Sequence, residues 1–215
     1  MSAVSIERHE VAAPDWGFTM NAYVVRDSAT GATAIVDPGA EPARLLDAAG
    51  SQVTGIWVTH ADFDHVAALA EVRAATGAPV LAHRLEVDRV PGGVDTLVAG
   101  GDTVQLGSLP VQVRFVPGHA PGHVVFIVGR HVLGGDVLFP GGPGRTRSPE
   151  DFQTLLRGIE TQLLALDDDA TVHPGHGDPV TIGQARREIA AFRQRGGTEG
   201  LYGDVTWLES GEGSV

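Results

Sequence analysis

Thr59-His60-Ala61-Asp62-Phe63-Asp64-His65 is the stretch on which the reading of this chain turns. It follows a short apolar, β-branched run at residues 55–59 and precedes an Ala-rich amphipathic stretch at residues 66–76, which Gly77 and Pro79 end. Four side chains able to ligate a metal, His60, Asp62, Asp64 and His65, therefore crowd one tight loop between a strand and a helix. Further ligand types stand at His119 in Pro117-Gly118-His119-Ala120-Pro121-Gly122-His123, at Asp136 in Gly134-Gly135-Asp136, and at His176 in His173-Pro174-Gly175-His176-Gly177. Each follows an expected strand, and the flanking glycines let the backbone turn sharply and aim a side chain at a shared centre. A lone His beside Gly is ordinarily a loop residue, and Asp after Gly-Gly ordinarily a turn. Four such clusters, all at strand ends, point instead to a metal centre of imidazole and carboxylate, which suits zinc, iron or manganese.

Outward from that loop, the chain alternates strands and helices, as expected of an α/β protein. Residues 21–26 and 32–37 read as a hairpin with its turn at 28–31, followed by a helix at 42–49. Strands are expected at 79–82, 104–106, 111–116, 124–128 and 131–134. A long helix at 149–166 with Ser148 as its N-cap, a strand at 170–173 and a helix at 182–195 complete the pattern. The Gly-rich stretch from Gly196 reads as a loose tail in which Trp207 and Leu208 are the residues able to dock. No composition shift marks a boundary, so one domain over residues 1–215 is expected.

Composition removes several function classes. The formal charge of −12 opposes a phosphate backbone and argues against nucleic acid as a partner. Without Cys, any metal must be held by His and carboxylate. Without Lys, Schiff-base chemistry is excluded. No apolar run approaches the ~18–20 residues of a membrane span, so no membrane association is expected. Glu7, Arg8 and Glu10 stand where a secretion signal would need an apolar stretch, so a cytoplasmic location is expected.

The series of clusters resembles the metallo-β-lactamase superfamily, whose signature loop His-x-His-x-Asp-His is followed by His, Asp and His. Gly144-Arg145-Thr146 and Pro174-Gly175-His176-Gly177 with Thr181-Ile182-Gly183 are most similar to its small glyoxalase II-like branch. The resemblance implies a four-layer αββα sandwich with the metals at one edge. It assigns His60, His119 and Asp136 to a first metal and Asp64, His65, Asp136 and His176 to a second, with Asp136 bridging and a hydroxide between the ions. Zinc, one or two per chain, is the implied cofactor, with iron or manganese as alternatives, and Asp64 and Asp136 are the implied catalytic carboxylates. Arg145 would meet an anionic group of a small-molecule substrate. Asp37 reads equally as a residue orienting a ligand or as a turn cap before Pro38-Gly39. His83, His123 and His173 have no ligand slot and read as supporting residues, and Trp16, Phe18 and Phe63 flank the mouth of the pocket.

One position departs from the family. Asp62 stands where the second histidine of the signature belongs. A shorter anionic side chain reaches an ion directly only if the loop moves inward, which leaves a mononuclear centre as an alternative, and its oxygen favours a harder ion such as iron or manganese. The implied reaction is hydrolysis of a small thioester or ester. A lactonase is the first alternative and a mononuclear iron persulfide dioxygenase the second. A true β-lactamase is disfavoured by the bridging Asp136. The short stretch after His176 leaves no room for the extra helical domain of longer relatives, so glutathione is not an implied ligand.

Overall fold

The alternation of apolar side chains along the strands dictates three buried seams, and a computed structural model of the chain, describing residues 4–13 and 15–207, shows where each lies. One sheet is formed by β1 (Val4–Val11), β2 (Met20–Asp27), β3 (Thr33–Val36), β4 (Val53–Trp57), β5 (Val80–His83) and β6 (Thr96–Val98), in that order. Its first three strands are antiparallel and the rest parallel. The helices α1 (Pro42–Ala49), α2 (Phe63–Val66) and α3 (Leu69–Thr76) fall between these strands. The second sheet contains β7 (Thr103–Leu106), β8 (Leu109–Phe115), β9 (Val124–Val128) and β10 (His131–Gly135). A two-stranded ribbon, β11 (Leu138–Phe139) and β12 (Gly142–Pro143), stands apart from it, and β13 (Thr171–Pro174) and β14 (Val180–Thr181) complete it in the order β14-β13-β10-β9-β8-β7. Helices α4 (Pro149–Gly158) and α5 (Ile182–Gln194) cover its outer face.

Strand β2 shows how the layers arise. Ala22 and Val24 pack outward with Leu45 of α1 and Leu69 and Val72 of α3, while Tyr23 and Val25 pack inward between the sheets. On β9, Val124, Phe126 and Val128 meet them from the other sheet, and Val125 and Ile127 turn to Phe152, Leu155 and Ile189 under α4 and α5. Period-two alternation on strands covered on both faces thus produces helix, sheet, sheet, helix. This is the expected αββα sandwich.

Several local features differ from the sequence reading, among them the short strands β6, β11, β12 and β14, which were not expected. Strand β1 was not expected; its outer residues are charged, as suits an edge strand with one exposed face. The helix expected at 66–76 begins earlier, at Phe63, and is interrupted after Val66, where the Ala68 amide donates to Pro38 O (3.0 Å) across the loop after β3. The helix expected at 149–166 keeps its Ser148 cap, whose hydroxyl accepts from Asp151 N (3.1 Å), but widens at Ile159–Leu163, where Leu164 N donates to Ile159 O. After Gly196, the chain returns to the body: Trp207 is 1% exposed and its indole N–H donates to Glu188 Oε2 (3.0 Å). Leu208 lies outside the described residues. Among the described residues, no helix is long and apolar enough to cross a membrane.

Candidate metal centre

The loops that leave β4, β8, β10 and β13 at one edge of the two sheets bring the ligand-type residues together. The edge is fastened by backbone bonds: Val124 N donates to Thr59 O (3.0 Å) and Asn21 N to Gly175 O (2.7 Å) between the sheets, and Gly175 N donates to Gly135 O (2.9 Å) within the second. Tyr23 Oη and Asn21 Nδ2 both donate to Pro174 O, so the segment carrying His176 is held against β2. Glycine permits this crowding. A Cβ on Gly175 would collide with Asp136 Oδ1 and the His65 ring, and one on Gly144 with the Asp136 carbonyl.

Each imidazole is held by its outer nitrogen. His119 Nδ1 pairs with Arg145 O (2.9 Å), His176 Nδ1 with Thr19 O (2.8 Å), His65 Nδ1 with Asp37 Oδ2 (3.0 Å) and His60 Nδ1 with Thr59 Oγ1 (3.1 Å). A carbonyl can only accept, so Nδ1 of His119 and His176 carries the proton and Nε2 presents a lone pair to the centre. Asp37 is thereby an orienting residue: besides His65, its carboxylate takes the amide of Thr59 (2.8 Å) and its hydroxyl (2.7 Å). It does so from a left-handed backbone (φ 49°), a conformation uncommon outside glycine.

The inward atoms converge. His65 Nε2 lies 3.3 Å from Asp136 Oδ1, while His119 Nε2 and His176 Nε2 each lie 3.6 Å from Asp136 Oδ2. Asp64 Oδ2 is 3.2 Å from His176 Nε2, and Asp62 Oδ2 is 3.5 Å from His119 Nε2. With metal–ligand bonds of about 2.0–2.2 Å, two donors on a tetrahedral ion stand roughly 3.3–3.6 Å apart, so these spacings suit donors that share a cation. Besides Asp37/His60/His65, whose carboxylate is already taken by Thr59 and the outer nitrogen of His65, two triads emerge, His60/Asp62/His119 and Asp64/His65/His176, with the donor atoms of each within 4.8 Å of one another. Asp136 stands between them. Nε2 of His60, His65 and His119 and Oδ1 of Asp136 are buried without a hydrogen-bond partner, an arrangement that costs free energy unless a cation takes up the lone pairs. The donor set therefore fits a metal pair.

Electrostatics agree with a site built around positive charge. Burial opposes the charge of the Asp136 carboxylate, yet His65, His119 and His176 hold it below the usual carboxylate range. Burial likewise opposes protonation of His65, but Asp136 and Asp37 outweigh it and raise that ring well above its ordinary value. His60 shows the contrary case, pushed well down by burial and by His65, His123 and His119. His123, lowered to about 3 by burial and then by His119, stacks on His60 and accepts the Asp136 amide at Nε2 (3.1 Å). Of the other supporting histidines, His173 pairs with His131 (3.0 Å) and His83 stacks on Phe115, both outside the ligand cluster.

The surroundings divide by character. A cleft of about 420 Å³ runs from Asp62 and His119 to Arg145, Thr146, Arg147 and Tyr202. Arg145 is largely exposed, 3.7 Å from Asp204, and its main-chain carbonyl has the further role of holding His119. On the other side, Trp16, Phe18 and Phe63 form an aromatic group with ring centroids 5.4–6.3 Å apart, and Phe18 reaches the ring of His176 (6.0 Å). Two residues beside the centre escaped the sequence reading, Glu86 and Arg89. Arg89 pairs with Asp62, and Glu86 is fully buried beneath them. Their only signal was a position just after β5, a fifth strand ending at this edge.

The metallo-beta-lactamase superfamily model matches residues 16–176, the span that carries all of these loops. The chain belongs to the metallo-beta-lactamase superfamily. It is 40% identical over 173 residues to a hydroxyacylglutathione hydrolase of Methylobacterium sp. strain 4-46, covering 78% of this chain and 66% of that protein. The chain thus spans just under two thirds of that relative. It is 32% identical to the hydroxyacylglutathione hydrolase GloC of Haemophilus influenzae, covering 81% of this chain and 93% of the relative. Among solved structures of the superfamily fold, TTHA1623 in a di-iron-bound form superposes with a TM-score of 0.69 at 32% identity, over 83% of this chain and 97% of that one.

Proposed function

We propose that this protein is a metal-dependent hydrolase of small thioesters or esters. One observation carries the reading: the unpartnered nitrogens of His60, His65 and His119 and Oδ1 of Asp136 converge, buried, with carboxylates at the spacing of shared ligands. His60, Asp62 and His119 would hold one ion, and Asp64, His65 and His176 the other, with Asp136 common to both. Zinc, one or two ions per chain, is the proposed metal. Iron and manganese compete for a site this rich in oxygen, and the di-iron form of TTHA1623 supports that competition.

Bound ions supply Lewis acidity at a carbonyl oxygen and acidify water toward neutrality. The chain's own residues do the rest. Asp64 and Asp136 would be the carboxylates that hold or take the proton of an attacking water. Asp37, Thr59 and the carbonyls of Thr19 and Arg145 keep the imidazoles aimed. The aromatic group of Trp16, Phe18 and Phe63 offers an apolar wall for one end of a substrate, while Arg145 and Arg147 offer positive charge to an anionic group at the other. The names of the Methylobacterium and Haemophilus relatives support a thioester as the substrate class.

The test is a substrate panel with purified, metal-loaded protein: a hydroxyacylglutathione, a simple acyl thioester, an aryl ester, a lactone and a β-lactam. A thioester is expected to exceed the lactone and the β-lactam in kcat/KM by about a hundredfold, or ~2.7 kcal/mol in barrier. Faster turnover of the lactone or β-lactam, or oxygen uptake with a persulfide and no hydrolysis, would replace this reading.

A further inference from the structure

Asp62 is the position at which this chain leaves its family's ligand pattern, and its neighbours explain how an aspartate can serve there. Its Oδ1 is taken by Arg89, leaving Oδ2 facing His119 within the His60/Asp62/His119 triad. Arg89 is itself held: its other terminal nitrogen donates to Glu86 Oε2 (2.9 Å). Glu86 is 0% exposed and anchored twice more, accepting the amide of Ala61 at Oε2 (3.0 Å) and that of Gly122 at Oε1 (2.7 Å). Ala61 lies between His60 and Asp62, and Gly122 lies three residues beyond His119, so one buried carboxylate ties together the two loops that supply this triad. The fit is tight, since a Cβ on Gly122 would stand 2.6 Å from Glu86 Cγ.

We propose that Arg89 is a positioning residue that makes Asp62 a metal ligand, binding Oδ1 so that only Oδ2 is offered to an ion shared with His60 and His119. The inference rests on the metal-centre reading above and adds a pairing to it. A free aspartate could swing to solvent or chelate through both oxygens; a guanidinium held by Glu86 removes both freedoms. Charge follows the same logic. Histidine binds metal as a neutral imidazole, whereas aspartate adds a negative charge that softens the ion's Lewis acidity. Arg89 lies between Asp62 and Glu86, so it offsets part of the added negative charge while Asp62 supplies an oxygen donor. Glu86 has its own charge met by two main-chain amides as well as by Arg89.

Titration calorimetry of metal-stripped protein with zinc tests this on wild type, Arg89→Gln, Arg89→Lys, Asp62→His and the double variant Asp62→His/Arg89→Gln. Arg89→Gln is expected to weaken one of two zinc sites tenfold or more and leave the other unchanged. Arg89→Lys, which keeps charge but not the fork, recovers part of the loss. With His at position 62 there is no carboxylate to clamp, so adding Arg89→Gln to Asp62→His costs no zinc affinity. A merely structural role would weaken both sites in either background and lower the melting temperature of the stripped protein equally. Two-site binding indifferent to Arg89→Gln, or an equal loss in the Asp62→His background, would overturn the pairing alone. A wild type that takes up no metal would overturn the metal-centre reading along with it.

Discussion

Asp136 is the carboxylate with the most neighbours of opposite tendency: both oxygens face imidazole nitrogens, and its amide is held by His123. Asp136→Asn keeps the shape and removes the charge. Its expected effect is a loss of more than about a hundredfold in turnover, the scale of removing support from a developing charge in a water-excluded site. Elemental analysis of the variant belongs beside the kinetics, because unchanged metal content with unchanged activity would reject the shared-ligand role. Asp37 acts one step back. Asp37→Ala frees the His65 ring and leaves Thr59 without its acceptor, and such outer partners typically contribute 10–100-fold in metal affinity or activity. Zinc titration should show the loss at the site proposed for His65, Asp64 and His176. At this scale the chain was readable where ligand types cluster beside glycine. Glu86 and Arg89 were not: apart from each other, their partners are main-chain amides and a residue of another loop, and pairings distant in sequence leave no local pattern.

Strands were legible wherever both faces are buried, because β2, β9 and β10 are nearly continuous apolar runs. Strand β1 was hidden by the same physics: at the sheet edge, Ser5, Glu7 and Arg8 belong to water, and its charged letters read as a polar terminus. The broken helix after the ligand loop was hidden for another reason, since the bond from Ala68 N to Pro38 O is tertiary and competes with a locally favourable helix. Trp207 was named as able to dock, but nothing in its Gly-rich stretch pointed to Gly141 and Glu188 as its partners. Between elements, Asp27 at the end of β2 is the tie with a pH signature. Its carboxylate accepts from Ser108 N (2.7 Å), Ser108 Oγ (2.8 Å), Ala29 N (2.9 Å) and Thr30 Oγ1 (2.8 Å), linking the β2–β3 turn of one sheet to the β7–β8 turn of the other. The Ser108 amide leads these bonds in holding the group below the usual carboxylate range against burial. A depressed folded value means a contribution present above the unfolded pKa of about 4 and lost as pH falls through the folded value. Urea midpoints of wild type and Asp27→Asn are therefore expected to differ at pH 7 and to approach each other as acid is added toward and below pH ~4. A constant gap across that range would show that Asp27 stabilises by shape alone.

Considered whole, the molecule gathers carboxylates and imidazoles at one edge of its sandwich. Asp62, Asp64 and Asp136 converge there in a chain whose formal charge is already −12, with four imidazoles whose inner nitrogens point at the same space. Such a cluster is stable in the folded state only with a cation or with protons taken up in its place, whereas the unfolded chain gains little from either. Metal binding and folding are therefore linked, and a ligand present at a thousand times its dissociation constant stabilises the native state by about 4 kcal/mol. For a chain of this length, 1 kcal/mol moves the melting temperature by about 2–4 °C, so stripping the protein with a chelator is expected to lower it by about 8–16 °C. Adding zinc, iron(II) or manganese(II) back should restore it, and the ion that restores it furthest at equal free concentration identifies the preferred metal. Asp136→Asn, lacking the shared carboxylate, should show a much smaller difference between stripped and loaded forms. Stripped and loaded wild type melting together would mean that the convergent histidines and aspartates do not hold an ion, however well their spacing suits one.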